Sequence, residues 1–219
     1  MVYLKNNTTN SFYRLIFLII FFSFIFIEYA KSSFLDPQQE LIINSVNNYL
    51  NNLSHMEGDF YQINPDNSSH FGKFYIRRPG KFRFDYESPS SLLVVSDSVW
   101  LGVTERDLKT FNRYPIRYSP HYALFKEDVD LINDARILSL ELFPKLLILS
   151  IEGNTGEEIG EITLHFKINE SDEKTDLLNL DLEQWFIVDA QGTETNVKLS
   201  NIAYGIETKH EYFVVRKPE

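Results

Sequence analysis

Hydrophobic and polar residues change their spacing twice along this chain. From Asp36, the positions Leu41, Ile42, Ser45, Val46, Tyr49, Leu50 and Leu53 recur at intervals of three and four, with Asn and Gln on the opposite side. That is the spacing of one helix face. Pro37 occupies the first helical position, where its missing N–H is not needed. Asn47, Asn48, Asn51 and Asn52 lower helix propensity but leave the apolar stripe intact, so the spacing predicts a helix laid on a sheet. From Gly58 the period becomes two. Strands are expected at 59–63, 72–77, 81–86, 91–96, 99–104 and 108–112, and again at 137–142, 146–152, 161–168, 177–182, 185–189, 193–204 and 208–215. Asn64-Pro65-Asp66-Asn67, Pro79-Gly80, Ser88-Pro89 and Ser96-Asp97 punctuate the first set. Links this short join antiparallel neighbours. Residues 118–134 interrupt the alternation, and Pro120, Leu124, Phe125, Val129, Leu131 and Ile132 suggest one or two short helices there.

The densest stretch is 71–100, FGKFYIRRPGKFRFDYESPSSLLVVSDSVW. Phe82, Phe84 and Tyr86 alternate with Lys81, Arg83 and Asp85, so one face of that strand is aromatic and the other charged. Aromatics make up 15% of the chain, 18 of them Phe, more than a small core requires. An aromatic sheet face cannot be left in water, and a patch of that size signals a ligand or a partner. The N-terminal helix and the short helices of 118–134 are available to cover it. Phe60, Phe74, Phe82 and Phe84 are candidates for the wall of an apolar cavity. Plain core packing is the competing reading of the same residues, because a one-residue slip of register exchanges the two faces.

The first 33 residues carry Lys5 and Arg14 before an apolar run, Leu15 to Ile27, and then Ala30-Lys31-Ser32 as a small-x-small site. This reads as a secretory signal peptide, leaving a carrier domain over 34–219. An uncleaved anchor is the rival reading, since Phe12 and Tyr13 lengthen the run. The net charge of −10 becomes −12 without residues 1–33, which hold three cations against one carboxylate. So acidic a chain is not expected to bind nucleic acid or an anionic lipid surface through a broad basic patch. The cations that remain are clustered: Arg77, Arg78, Lys81 and Arg83, then Arg106, Lys109, Arg113 and Arg117. With no cysteine there is no disulfide, thiolate metal site or cysteine nucleophile. His55, His70, His121, His165 and His210 are scattered, and no Gly-x-Ser-x-Gly elbow or phosphate loop occurs. No catalysis, metal or cofactor is expected.

The run Arg78-Pro79-Gly80-Lys81-Phe82-Arg83-Phe84, followed by Pro89 and by an apolar strand ending in Ser96-Asp97, resembles the periplasmic outer-membrane lipoprotein carriers of the Lol system. Trp185-Phe186-Ile187-Val188-Asp189-Ala190-Gln191-Gly192, with Thr195, Val197, Leu199 and Ser200, resembles the same family's last strand–turn–strand. The resemblance implies a curved antiparallel half-barrel under a helical lid, with an apolar cavity between them. It implies a monomeric, non-enzymatic carrier of lipoprotein acyl chains. Cargo would pass from an inner-membrane lipoprotein-releasing ABC transporter to an outer-membrane acceptor. Arg78 matches the arginine that bonds the lid in that family, and Phe82 matches an aromatic that governs cargo acceptance. Two departures stand out. Ser98 replaces a glycine after Ser96-Asp97, and the chain ends soon after Val215, which leaves the identity of the acceptor open. A half-barrel sensor domain that binds lipid or peptide as a signal remains the alternative.

Overall fold

Alternation along each strand gives every strand one apolar face, and pairing the strands merges those faces into a single surface. The computed structural model describes residues 35–119, 122–153, 160–170, 175–188 and 192–217. The signal segment read over 1–33, Pro120, His121, and Asp189-Ala190-Gln191 of the last strand–turn–strand lie outside them. The helix expected from Asp36 is α1 (Pro37–Asn52). Its buried side is Ile42, Ile43, Ser45, Val46 and Leu50, while Leu41 is 39% exposed. The stripe is therefore rotated from the one expected, with Ile43 inward in place of Leu41.

Eleven strands follow: β1 (His55–Ile63), β2 (Ser69–Arg77), β3 (Lys81–Tyr86), β4 (Leu92–Asp97), β5 (Trp100–Glu105), β6 (Thr110–Pro115), β7 (Ala135–Phe143), β8 (Leu146–Gly153), β9 (Glu161–Ile168), β10 (Leu180–Val188) and β11 (Glu194–Tyr204). They form one open antiparallel sheet in the order β6-β5-β4-β3-β2-β1-β11-β10-β9-β8-β7. Two meanders meet where β1 pairs with β11, and β6 and β7 are left as the two edges. The segment joining β6 to β7 must cross from one edge of the sheet to the other. It carries a 3-10 turn (Ile116–Tyr118), α2 (Tyr122–Phe125) and α3 (Leu131–Asp134). This segment is the lid. Asp130 caps α3 by accepting from the N–H groups of Ile132 and Asn133 at 3.2 and 3.3 Å.

Three expected strands differ. The runs expected at 177–182 and 185–189 both contribute to the single strand β10, which begins only at Leu180 and whose pairing with β9 shifts register between Leu182 and Gln184. That bulge restarts the alternation and makes one strand read as two. The run at 208–215 forms no strand; it contains a 3-10 turn, His210–Phe213. Its apolar residues find partners on the outer face of the sheet. The Tyr212 ring lies 5.0 Å from that of Tyr75 and 5.5 Å from the Arg83 guanidinium carbon, and Phe213 is 2% exposed. Gly102 makes room for the same segment, since a Cβ there would lie 2.8 Å from Val215 Cγ1.

Candidate functional site

Register decides the aromatic face. Phe74 and Phe84 are directly opposite across β2 and β3, while Phe60 is opposite Gly72 and Phe74 is opposite Gly58 across β1 and β2. Each ring thus lies over the glycine of its neighbour. A Cβ on Gly72 would come within 2.8 Å of Phe60 Cε1, and one on Gly58 within 2.9 Å of Phe74 Cε1. The sheet therefore brings all four candidate wall residues together. Phe84 is their hub, with ring centroids at 5.2 Å from Phe60, 6.1 Å from Phe74, 5.9 Å from Phe82 and 5.9 Å from Trp185. All four lie on the inner face, the one covered by α1 and the lid, and each is 6% exposed or less. The Phe74 ring is stacked on Phe84, and those of Phe60, Phe82 and Trp185 meet it edge-on; such pairs add about 0.5–1.5 kcal/mol each beyond the area they bury. Phe82 meets the lid itself, with its ring 5.2 Å from that of Phe125. Tyr86 closes the row: its hydroxyl donates to Gln62 Oε1 at 2.5 Å, and burial pushes its pKa up to about 12.

Above Phe82 the lid is held by polar contacts. Helix α2 is too short to satisfy its own C-terminal carbonyls, and those groups need donors from elsewhere. The turn after β2 supplies them. Arg78 Nη1 donates to the Leu124 carbonyl at 3.0 Å, and Nη2 donates to those of Lys126 and Glu127 at 2.6 and 3.0 Å. The Gly80 N–H donates to the Phe125 carbonyl at 2.6 Å, so four successive carbonyls are met by one turn. A cation beside a helix C-terminus is also electrostatically favoured. Burial lowers the Arg78 pKa from the ordinary guanidinium range while Asp128 acts to raise it, and the group stays charged.

The turn is itself braced. The Arg78 N–H donates to the Ser54 carbonyl at 2.9 Å, and the buried Ser96 hydroxyl donates to the Gly80 carbonyl at 2.7 Å. Gly80 has φ +68°, and a Cβ there would meet Ser98 Cβ at 2.7 Å. Ser98 adopts φ +84° without being glycine. Asp97 Oδ1 supports that turn by accepting the N–H groups of Val99 and Trp100 at 2.9 and 2.7 Å. Arg78-Pro79-Gly80 and Ser96-Asp97 are thus one structural unit.

Helix α1 pins the far half of the lid. Asn51 Nδ2 donates to the Val129 carbonyl and its Oδ1 accepts the Val129 N–H, both at 2.9 Å. Asn47 Oδ1 accepts the Leu131 N–H at 3.0 Å. Sequence reasoning treated these asparagines only as weak helix formers. Their signal was the spacing of four, which puts both amides on one side of α1. The other flank of α1 borders a groove of about 510 Å³, whose lining includes Asn48, Asn52, His55, Leu178, Asp181 and Tyr204. There the Tyr204 hydroxyl donates to Asp181 Oδ1 at 2.9 Å, and burial raises the Tyr204 pKa. Among the described residues, no group of three or more His, Cys, Asp or Glu is placed to hold a metal ion.

A family model described as outer membrane lipoprotein carrier protein LolA matches residues 51–216. No curated protein matches the chain. Among solved structures, an uncharacterized conserved protein from Thermus thermophilus is 12% identical with a TM-score of 0.46, covering 82% of this chain and 94% of its own. A LolA superfamily protein from Nitrosomonas europaea is 9% identical with a TM-score of 0.42, covering 79% and 97%. LprF from Mycobacterium bovis is 11% identical with a TM-score of 0.37, covering 78% and 95%.

Proposed function

Because the chain belongs to the outer membrane lipoprotein carrier family, we propose that it shields lipoprotein acyl chains between its lid and the inner face of its sheet. It carries them through the periplasm, from an inner-membrane lipoprotein-releasing ABC transporter to an outer-membrane acceptor, as a monomer. Residues 1–33 direct its secretion. Phe60, Phe74, Phe82 and Phe84 supply the apolar wall, and Arg78 is the latch.

One observation carries the reading: a single guanidinium holds three lid carbonyls directly over an aromatic sheet face. Acyl chains are held by apolar area, roughly 0.8 kcal/mol per CH₂, and a full chain held that well would never leave. A lid closed by hydrogen bonds competes with cargo for the same space. Those bonds break on loading and reform on release, which favours hand-over without a chemical energy source.

The test is mass spectrometry of what co-purifies with the secreted protein from its own periplasm, together with titration by a fluorescent fatty-acyl probe. Acylated proteins and saturable probe binding are expected. Recovery of neither would end the carrier reading. The intact mass of the purified protein checks secretion, with an N-terminus expected near Ser33.

A further inference from the structure

The inner face is not covered out to its edge. Cross-strand pairing runs in one row from Phe82 through Ser96 and Leu101 to Tyr114. Exposure rises along that row, from 1% at Phe82 to 51% at Tyr114. Val99 and Tyr118, at the same corner, are 61% and 43% exposed. The Ile116 N–H donates to the Val99 carbonyl at 3.0 Å, which ties the start of the lid segment to this corner. Two arginines stand on aromatic rings here. Arg113 and Trp100 lie on the outer face of the same sheet edge, because they flank the inner-facing Tyr114 and Leu101. The Arg113 guanidinium carbon is 4.3 Å from the Trp100 ring centroid, and that of Arg117 is 4.7 Å from the Tyr118 ring, whose hydroxyl it also bonds at 2.7 Å. Residues 98–101 and 112–119 contain both arginines and no carboxylate, in a chain of net charge −10, and the adjoining Asp97 carboxylate is engaged by the N–H groups of Val99 and Trp100.

We propose that this corner, formed by Val99, Trp100, Arg113, Tyr114, Arg117 and Tyr118, docks the protein on an anionic phospholipid bilayer, with the open end of the inner face turned toward the headgroups. The inference rests on the carrier reading and gives that carrier a direct contact with lipid. Rings with one polar end suit headgroup depth. Guanidinium groups stacked on such rings bring positive charge to the apolar contact while their heads stay in water. The acidic remainder of the chain is repelled by an anionic surface, so attraction at one cationic corner also fixes the orientation. Tyr114, at the exposed end of the row that begins at Phe82, then lies where an acyl chain would pass between protein and membrane.

The test is flotation of the secreted protein with vesicles of phosphatidylcholine alone, or of phosphatidylcholine mixed with phosphatidylglycerol. Wild type is compared with Arg113→Glu/Arg117→Glu and with Val99→Ser/Tyr114→Ser. Whatever the N-terminus contributes is common to all three. Wild type is expected on the phosphatidylglycerol vesicles only, and released by salt. One cation near an anionic surface is worth about five-fold in partitioning, so reversing two should lower binding roughly 100-fold or more. The serine variant should bind about ten-fold less with an unchanged salt slope, as expected for lost apolar contact alone. In the wild type, brominated phosphatidylglycerol should quench Trp100, a readout that needs no variant to fold. Equal binding to both vesicle types, full binding by the charge-reversed variant, absence of quenching, or binding to a protein acceptor but not to lipid would each overturn the proposal. Acyl-probe uptake in the same samples separates the two readings. Uptake without vesicle binding removes the docking surface and leaves the carrier. Vesicle binding without uptake removes the carrier and leaves the surface.

Discussion

Replacing Arg78 by leucine tests the latch most directly. The guanidinium makes three good hydrogen bonds, to the carbonyls of Leu124, Lys126 and Glu127 at 3.0, 2.6 and 3.0 Å. Its 3.4 Å approach to Asn51 Oδ1 adds little. Hydrogen bonds to a charged group contribute about 1.5–3 kcal/mol each, so the gross sum is about 4.5–9 kcal/mol. Arg78 is only half-buried, and water recovers part of that when the lid opens. A net latch of about 3–4 kcal/mol is a reasonable working figure. It offsets four or five methylenes of a bound chain at roughly 0.8 kcal/mol each. Loss of the latch should therefore shift the loading equilibrium toward retention by on the order of 100- to 1,000-fold. The lid should stay attached, because the Gly80, Asn47 and Asn51 contacts remain. Arg78→Leu is thus expected to fold, to take up lipoprotein and to retain it. Arg78→Lys should restore release only in part, since an ammonium lacks the planar fork that reaches three carbonyls. The assay is transfer of labelled lipoprotein from purified loaded protein to acceptor membranes, with far-UV circular dichroism as the control for folding. If Arg78→Leu releases cargo as readily as wild type, Arg78 merely caps α2 and the latch argument is wrong.

Four further outcomes follow from the same contacts. Phe82→Glu should weaken fatty-acyl probe binding at least ten-fold, because a carboxylate at an apolar wall costs several kcal/mol or must be neutralised; equal titration curves would remove Phe82 from the wall. Asn51→Leu should destabilise the protein by about 1–3 kcal/mol in urea unfolding, since both backbone groups of Val129 lose their partner; an unchanged midpoint would mean that water replaces the amide at no cost. Ser98→Gly should raise the melting temperature, worth up to about 1 kcal/mol, because φ +84° is unfavourable for serine and free for glycine; a lower melting temperature would show that the Ser98 side chain is itself needed. Tyr86, with its pKa raised by burial to about 12, contributes stability that is intact below the unfolded value near pH 10 and is lost as pH rises toward 12. The loss is at most about 2.7 kcal/mol, and Tyr86→Phe should flatten the decline in a pH series of urea melts; an equally steep decline in the variant would assign it to other groups.

Much of the fold was legible, for a stated physical reason. Period-two alternation marks strands wherever one face is buried, so Lys81–Tyr86 and Glu161–Ile168 were read to the residue. It failed where the period is broken inside one strand, at the Leu182/Gln184 bulge. It failed again where a short apolar run packs on a sheet without pairing to it, as at Phe213 and Val215. The candidate site was legible in residue type but not in arrangement. Phe60 and Phe74 could be named from alternation alone, whereas Gly72 and Gly58, which make room for their rings, depend on a register that no local pattern encodes. Asn47 and Asn51 stayed hidden because their partners are backbone groups of Leu131 and Val129, about 80 residues away. A side chain that bonds a distant backbone leaves no trace of its partner in the sequence.

The topology explains why the lid is where it is and why it is held by polar groups. A sheet made of two meanders that meet at their terminal strands has its two edges at β6 and β7, which are consecutive in the chain. Their connection can only run over a face of the sheet, so a cover anchored at both ends follows from strand order. Such a cover can lift but cannot leave, because each end continues into a paired strand. What remains adjustable is how firmly it closes. Closure by apolar area alone would grow in step with the very force that holds cargo, and the protein would gain no means of releasing it. Closure through Arg78, Asn47 and Asn51 acts through a few directional bonds of limited strength. Water can replace those bonds when the lid lifts, whereas a departing acyl chain must find another apolar surface. On the proposed carrier reading, the balance between a fixed polar latch and a cargo term that scales with chain length would let one fold both accept and surrender lipid.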